Sequence, residues 1–266
     1  MSVITKKLGQ LECLVAEGIE TPHCFTTRFG GVSSGSQSSL NIAFGRGDSM
    51  ENVQKNLHIL ASALGFDPEK YVLTRQTHSD IVRVVTDADC AGLCHRDYPE
   101  CDALVTNTAG VALLVFTADC TPILLHDPVT GAVGAAHAGW RGTHQAIGAK
   151  TVQAMVDNFG CDPKNIRAAI GPNIGMCCFE TDSDVPEAML TAFGEKVNPF
   201  IAKRGEKYHL DLKAVNALIL RRAGVRHIDI SDACTMCQHD RFWSHRYTKG
   251  DRGSQGAIIV CKEASK

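Results

Sequence analysis

Three short polar segments of this chain combine residue types that bind metal ions. They are Arg75-Gln-Thr-His78, Thr117-Ala-Asp-Cys-Thr-Pro122 and Ala136-His-Ala-Gly-Trp-Arg-Gly142, each beside an apolar run. Taken together, His78, Cys120 and His137 form a Cys/His2 set. Three protein ligands plus an open position is the arrangement of catalytic zinc, whereas structural zinc normally takes four. A thiolate with two imidazoles also suits copper. Two readings need no metal: a core cysteine with two hydrogen-bonded histidines, and a Cys120/His pair used for covalent catalysis. The three residues are too far apart for a zinc-finger pattern, so spacing alone leaves these readings open.

Cysteine is abundant, with 12 in 266 residues. The N-terminus has no apolar stretch of the signal-peptide kind, so a disulfide framework is not expected and a cytoplasmic location is. Cys234-Thr-Met-Cys237 is a CxxC pattern, open to a redox role or half of a structural zinc site. The adjacent Cys177 and Cys178 are poor partners for one tetrahedral ion, so these four are expected to be buried thiols near the site. Cys90, Cys94, His95 and Cys101 form a further cluster, expected to be a loop with incidental cysteines.

Lys plus Arg is 27 against 29 for Asp plus Glu, which removes the basic excess a nucleic-acid binder would need. The 44% apolar and 21% charged residues are globular values. The longest apolar run, 111–116, is too short to span a bilayer. The expectation is a soluble monomer or small homo-oligomer.

The elements that must position these residues are legible from periodicity. Apolar residues at helical spacing predict helices over 51–64, 145–159, 185–193 and 212–223, with Asp48 or Ser49 and Asp211 as N-caps and Gly65 as a stop. Strands are predicted at 23–28, 71–76, 81–86, 102–106, 166–170, 227–230, 242–247 and 256–261. The unbroken apolar run 111–117 reads as a strand covered on both faces. Segments 122–126 and 132–137 read as a hairpin turned by Asp127-Pro-Val-Thr-Gly131. The Gly/Ser-rich run 30–39 has too little chain before it to be a domain linker, so 1–266 is expected to be one α/β (α+β) domain. Its irregular interleaving predicts a mixed central β-structure flanked by helices.

Several of these motifs, in this order, resemble the YfiH/laccase-domain family. They are Arg28-Phe-Gly-Gly31, Gln76-x-His78, Ala118-Asp-Cys-x-Pro122, His137-Ala-Gly-Trp-Arg-Gly142, Gly171-Pro172, Cys178, Cys234-Thr235 and Ser244-x-Arg246. Members were once called polyphenol oxidoreductase laccases. They are now associated with purine nucleoside phosphorolysis and adenosine deamination, and some with peptidoglycan editing. The resemblance implies that His78, Cys120 and His137 hold one zinc ion. The family often carries an arginine before its last strand, where this chain has Ser254.

The function this implies is phosphorolysis of adenosine, inosine, guanosine and S-methyl-5′-thioadenosine, with deamination of adenosine. Purine nucleosides and phosphate would be the partners. Arg28, Arg75 and Arg141 lie beside the motifs, and planar guanidinium groups suit phosphate. Zinc would activate a water for deamination, with Asp119 as the general acid/base and Cys120 among the catalytic groups. Asn41 and Gln76 are candidate hydrogen-bonding partners for the base or ribose, and Trp140 a candidate stacking surface. Removal of L-Ser from UDP-MurNAc-L-Ser is an alternative. Copper-dependent phenol oxidation is another, and the chain has no His-x-His pair for it. A non-enzymatic nucleoside binder is the remaining one.

Overall fold

The computed structural model describes residues 2–90 and 99–262. The chain opens with a hairpin of β1 (Val3–Leu8) and β2 (Leu11–Ala16), turned at Gly9 with φ 59°. No strand was expected before residue 23, because Lys6 and Lys7 break the apolar alternation of this edge. Strand β3 (His23–Thr26) follows, then α1 (Met50–Leu64). Ser49 caps α1, its hydroxyl accepting from the Asn52 N–H at 3.1 Å, and Gly65 ends it in the left-handed conformation at φ 70°.

Strands β4 (Tyr71–Leu73), β5 (Val82–Val84), β6 (Ala103–Thr106) and β7 (Ala112–Thr117) come next. The expected hairpin forms from β8 (Thr121–His126) and β9 (Val133–Ala138), with His126 opposite Val133 and Thr121 opposite Ala138. The helix expected over 145–159 forms as α3 (Ile147–Phe159), and a short α2 (Trp140–His144) that was not expected precedes it, the two separated at Ala146, whose φ of 58° breaks the helical path.

The remainder comprises β10 (Arg167–Ile170), β11 (Glu180–Thr181), α4 (Asp184–Phe193), β12 (Ile201–Arg204) and β13 (Lys207–Leu210). It closes with α5 (Leu212–Arg222), β14 (His227–Ile230), α6 (His245–Thr248) and β15 (Gln255–Val260). The strand expected over 242–247 does not form. The Trp243 N–H donates to the Gln255 side chain at 2.6 Å, and Ser244 instead caps α6. Phe242 and Trp243 are buried there by tertiary packing, which made a loop look like a strand.

Two six-stranded mixed sheets, ordered β1-β2-β3-β15-β7-β4 and β14-β10-β8-β9-β6-β5, carry the core, with a small sheet β11-β13-β12 beside them. Side chains alternate between faces as the pleat requires. Leu113 and Val115 of β7 meet Leu104, Leu124 and Ala135 of the other sheet in the central layer. Ala112 and Leu114 of the same strand face Leu57, Leu60 and Leu64 of α1. On the opposite outer face, Ile123 and Leu125 pack against Ile147, Val152 and Met155 of α3 and Leu220 of α5. The expected central β-structure is thus two sheets, with helices outside each. Burial of each such aliphatic side chain contributes roughly 1.5–3 kcal/mol. No helix among the described residues is long and apolar enough to cross a membrane.

Candidate active site

Strand ends bring the polar segments together. The β8–β9 register sets Pro122 opposite His137, so Cys120, just before β8, arrives beside the end of β9. The β4–β5 connection delivers His78. The three ligand atoms lie within 4.8 Å of one another. Cys120 Sγ is 3.8 Å from His78 Nε2, and the two imidazoles meet edge to face with centroids 5.0 Å apart. His137 is buried whereas His78 is exposed, so the cluster has one sealed side and one open side.

Asp102, just ahead of β6 and fully buried, organises this cluster. Its carboxylate takes His137 Nδ1 at 2.8 Å, which leaves Nε2 as that ring's free ligand atom. It also accepts the backbone N–H groups of Thr77, His78 and Ser79 at 3.0, 3.2 and 2.7 Å, and the Ser79 hydroxyl at 2.7 Å. Those bonds hold His78 at φ 61°, a conformation non-glycine residues seldom adopt. Burial alone would raise the Asp102 pKa, but His137 and Ser79 bring it down to about 2.

The same balance sets the other charges. Burial raises the Cys120 thiol, yet the His137 charge and hydrogen bonds from both histidines lower it to about 6. For His137 burial works downward, and the Cys120 charge and the Asp102 hydrogen bond lift it to about 9. The site therefore presents a thiolate at neutral pH. A thiolate and two imidazoles, one fixed by a buried carboxylate, with an open side, fit a borderline-soft cation.

Gly139 explains a glycine of the His137-to-Gly142 motif. A Cβ there would stand 2.7 Å from His78 Cδ2 and 3.2 Å from Cys120 Sγ. Gly139→Ala must push the imidazole aside, and metal affinity is expected to fall on the order of tenfold, measured by competitive metal titration.

The cluster opens on a cleft of about 370 Å³ lined by Arg46, Gln76, Phe116, Asp119, Phe179, His245, Arg246, Arg252 and Ser254, among others. Asp119, at φ 86°, has both oxygens engaged: the Thr235 hydroxyl donates at 2.6 Å and the Arg246 N–H at 2.7 Å. Gln76 uses its amide on the Phe116 backbone, accepting its N–H at 2.7 Å and donating to its carbonyl at 2.9 Å.

Five expected site residues are not among those lining this cleft. Arg28 donates to the Ser38 and His239 carbonyls and stacks over Trp243 at 4.1 Å. Asn41 is fully buried and hydrogen-bonds Ala43, Asp48 and Ser254. Arg75 is exposed and pairs with Glu100 at 3.6 Å. Trp140 packs into the apolar cluster around Phe179 and Val215, and Arg141 covers its ring at 4.3 Å. Motif residues near the ligands in sequence thus serve the loops that shape the site.

The cleft's positive charge comes from elsewhere. Arg252 is 8% exposed, and its Nε has no hydrogen-bond partner among the described residues. Burial and the nearby Arg46 lower its pKa to about 10. Arg252 Nη1 donates to the Ser254 hydroxyl at 2.9 Å, so its guanidinium reaches the cleft beside Ser254. Arg46 sits between Gly45 and Gly47, and this glycine flanking is the signal the sequence offers for it; both glycines adopt positive φ. Asp102 offered one as well, an acid at the head of an apolar strand.

These features define an α/β protein with a Cys/His2 cluster, able to hold a metal ion, at the mouth of an arginine-lined cleft. Residues 22–262 match the family described as "Multi-copper polyphenol oxidoreductase laccase", and the chain belongs to that family. A Deinococcus radiodurans protein named "Purine nucleoside phosphorylase" is 41% identical over 252 residues, covering 94% of this chain and 92% of that one. "Purine nucleoside phosphorylase YlmD" of Geobacillus stearothermophilus is 38% identical, covering 90% and 89%. The crystal structure of that organism's YlmD superposes with a TM-score of 0.91 at 34% identity, covering 98% of this chain and all of the other. Bacillus licheniformis YfiH gives 0.90 at 33% identity, covering 96% and 98%.

Proposed function

We propose that this chain is a zinc-dependent purine nucleoside phosphorylase that cleaves adenosine, inosine, guanosine and S-methyl-5′-thioadenosine, and that it also deaminates adenosine. The observation that carries this reading is the buried Arg252, with an unpartnered Nε, in the same cleft as Arg46, Arg246 and the Cys120 cluster. Guanidinium groups that share one cleft and have no carboxylate partner among the described residues favour an anion with several oxygens, as phosphate has. Relatives named purine nucleoside phosphorylases supply the substrate class. Eleven described cysteines are all free, which favours a cytoplasmic setting.

Phosphorolysis joins a phosphate oxygen to the ribose C1′ as the bond to the purine N9 breaks, and the departing base takes up the proton that the attacking dihydrogen phosphate gives up. Arg46, Arg246 and Arg252 hold the phosphate and offset its charge as it approaches the sugar. Phe116 and Phe179 offer apolar surface to the purine. Partial desolvation at the cleft wall first, then the charge of Arg252, lowers the pKa of the exposed His245, so its imidazole is neutral and able to accept a proton. Asp119 holds the Arg246 backbone and the Thr235 hydroxyl at the cleft wall. His78, Cys120 and His137 would hold the zinc, which supplies Lewis acidity and activates water for deamination. Zinc is preferred over copper because three ligands with an open side is its catalytic arrangement.

The test is incubation of purified protein with each nucleoside, with and without phosphate, followed by chromatography. Base plus ribose 1-phosphate is expected only with phosphate, and inosine from adenosine without it. No ribose 1-phosphate from any purine nucleoside refutes the phosphorolysis. Arg252→Gln is expected to raise the phosphate KM about 10- to 100-fold, the loss of a charge-assisted hydrogen-bonding group worth roughly 1.5–3 kcal/mol.

A further inference from the structure

We infer that Cys177, Cys178, Cys234 and Cys237 form a second metal site, a tetrathiolate that takes zinc(II). Their four sulfurs all lie within 4.8 Å of one another. Cys237 Sγ stands 3.5 Å from Cys177 Sγ and 3.4 Å from Cys178 Sγ. Four thiolates at about 2.3 Å from a tetrahedral zinc lie about 3.8 Å apart, so the cluster is already close to that size.

The surroundings favour a charged sulfur at Cys234. The backbone N–H groups of Gly175 and Cys237 both point at Cys234 Sγ, at 3.2 and 3.5 Å. A side chain at Gly175 would crowd the cluster: a Cβ there would stand 3.3 Å from Cys177 Sγ and 3.2 Å from Cys234 Cβ. The buried ammonium of Lys213 donates to the Ser231 and Ala233 carbonyls and interacts electrostatically with Cys234 and Cys177. A tetrathiolate zinc complex carries two net negative charges, and a buried cation beside it offsets part of them.

Adjacent cysteines are poor ligands for one ion when the backbone is extended, because successive side chains then point to opposite faces. Here they are not extended. The Cys178 and Phe179 N–H groups both bond to the Gly175 carbonyl at 2.9 Å, a tight turn that swings both thiols toward Cys237. An ion there clasps segment 173–179, which supplies Ile174 and Phe179 to the cleft, to the segment whose Thr235 holds Asp119.

The protein, produced with zinc and purified under reducing conditions, is expected to contain two zinc ions per chain by elemental analysis. Cys237→Ser and Cys120→Ala are each expected to retain one, and the double variant none. Cobalt-loaded Cys120→Ala should show the intense visible bands and sulfur-to-metal charge transfer of a tetrathiolate. Loss of all zinc in Cys120→Ala, or a Cys178–Cys237 disulfide in the reduced preparation, overturns the site. If a variant fails to fold, X-ray absorption on the wild-type protein decides. A sulfur-only shell, alone or averaged with a nitrogen/sulfur one, supports the site, and a purely mixed one-zinc shell refutes it. Zinc retained in Cys120→Ala but absent from Cys237→Ser would uphold this site while refuting the catalytic zinc.

Discussion

On the proposed function, Cys120→Ala is expected to empty the site formed with His78 and His137 and reduce phosphorolysis by about a thousandfold, roughly 4 kcal/mol of transition-state stabilisation. Cys120 is the only thiol of its cluster, and its pKa of about 6 makes it the anionic ligand at neutral pH. Two imidazoles without it form a weaker and neutral ligand pair. The substitution removes a half-buried sulfur in the turn ahead of β8, so the sheets should survive it. Thermal unfolding should shift little while kcat falls and metal content drops. Unchanged turnover in a metal-depleted Cys120→Ala protein would place the chemistry elsewhere in the cleft.

Asp102 is the second position of large effect, through stability as well as metal affinity. Five donors converge on its buried carboxylate: His137 Nδ1, the Ser79 hydroxyl and three consecutive N–H groups. Asp102→Ala leaves them all without an acceptor, a loss expected to cost about 3–5 kcal/mol. Asp102→Asn keeps the shape but turns one acceptor into a donor facing other donors, for about 1–3 kcal/mol. Because His137 would lose its orienting partner, metal affinity should also fall about 10- to 100-fold in the Asn variant. Chemical denaturation and metal titration measure the two effects separately. An Asn variant with native stability and affinity would show that the carboxylate charge is not what holds the His78 turn.

The arginines show where local sequence stops being informative. Arg28, Arg75 and Arg141 stand next to motif residues along the chain, yet their side chains serve carbonyls, a glutamate and an aromatic ring outside the cleft. Arg46 and Arg252 are far apart in sequence and meet in the cleft because the loop after β3 and the approach to β15 pack side by side, with the Ile42 N–H bonded to the Ser254 carbonyl. Proximity along a chain constrains side chains over a few residues only, and an anion site needs charges from several elements. The four cysteines expected to be buried thiols do converge, but Cys177 and Cys237 are exposed. A vicinal pair looks unfavourable until the turn at Gly175 is known.

By itself, the sequence determined the elements with strong periodicity: the capped helix α1, the β8–β9 hairpin and the doubly covered strand β7. Each follows from local rules of capping, turn chemistry and side-chain alternation, which act within a few residues. It also determined the family, because ordered motifs survive as text. Only the tertiary structure decided that the β-structure is two sheets, that 242–247 is not a strand, and that Asp102 and Arg252 belong with Cys120. Those outcomes depend on which distant backbone groups satisfy each other and which buried charges find partners. These are properties of contacts made after the chain has closed on itself.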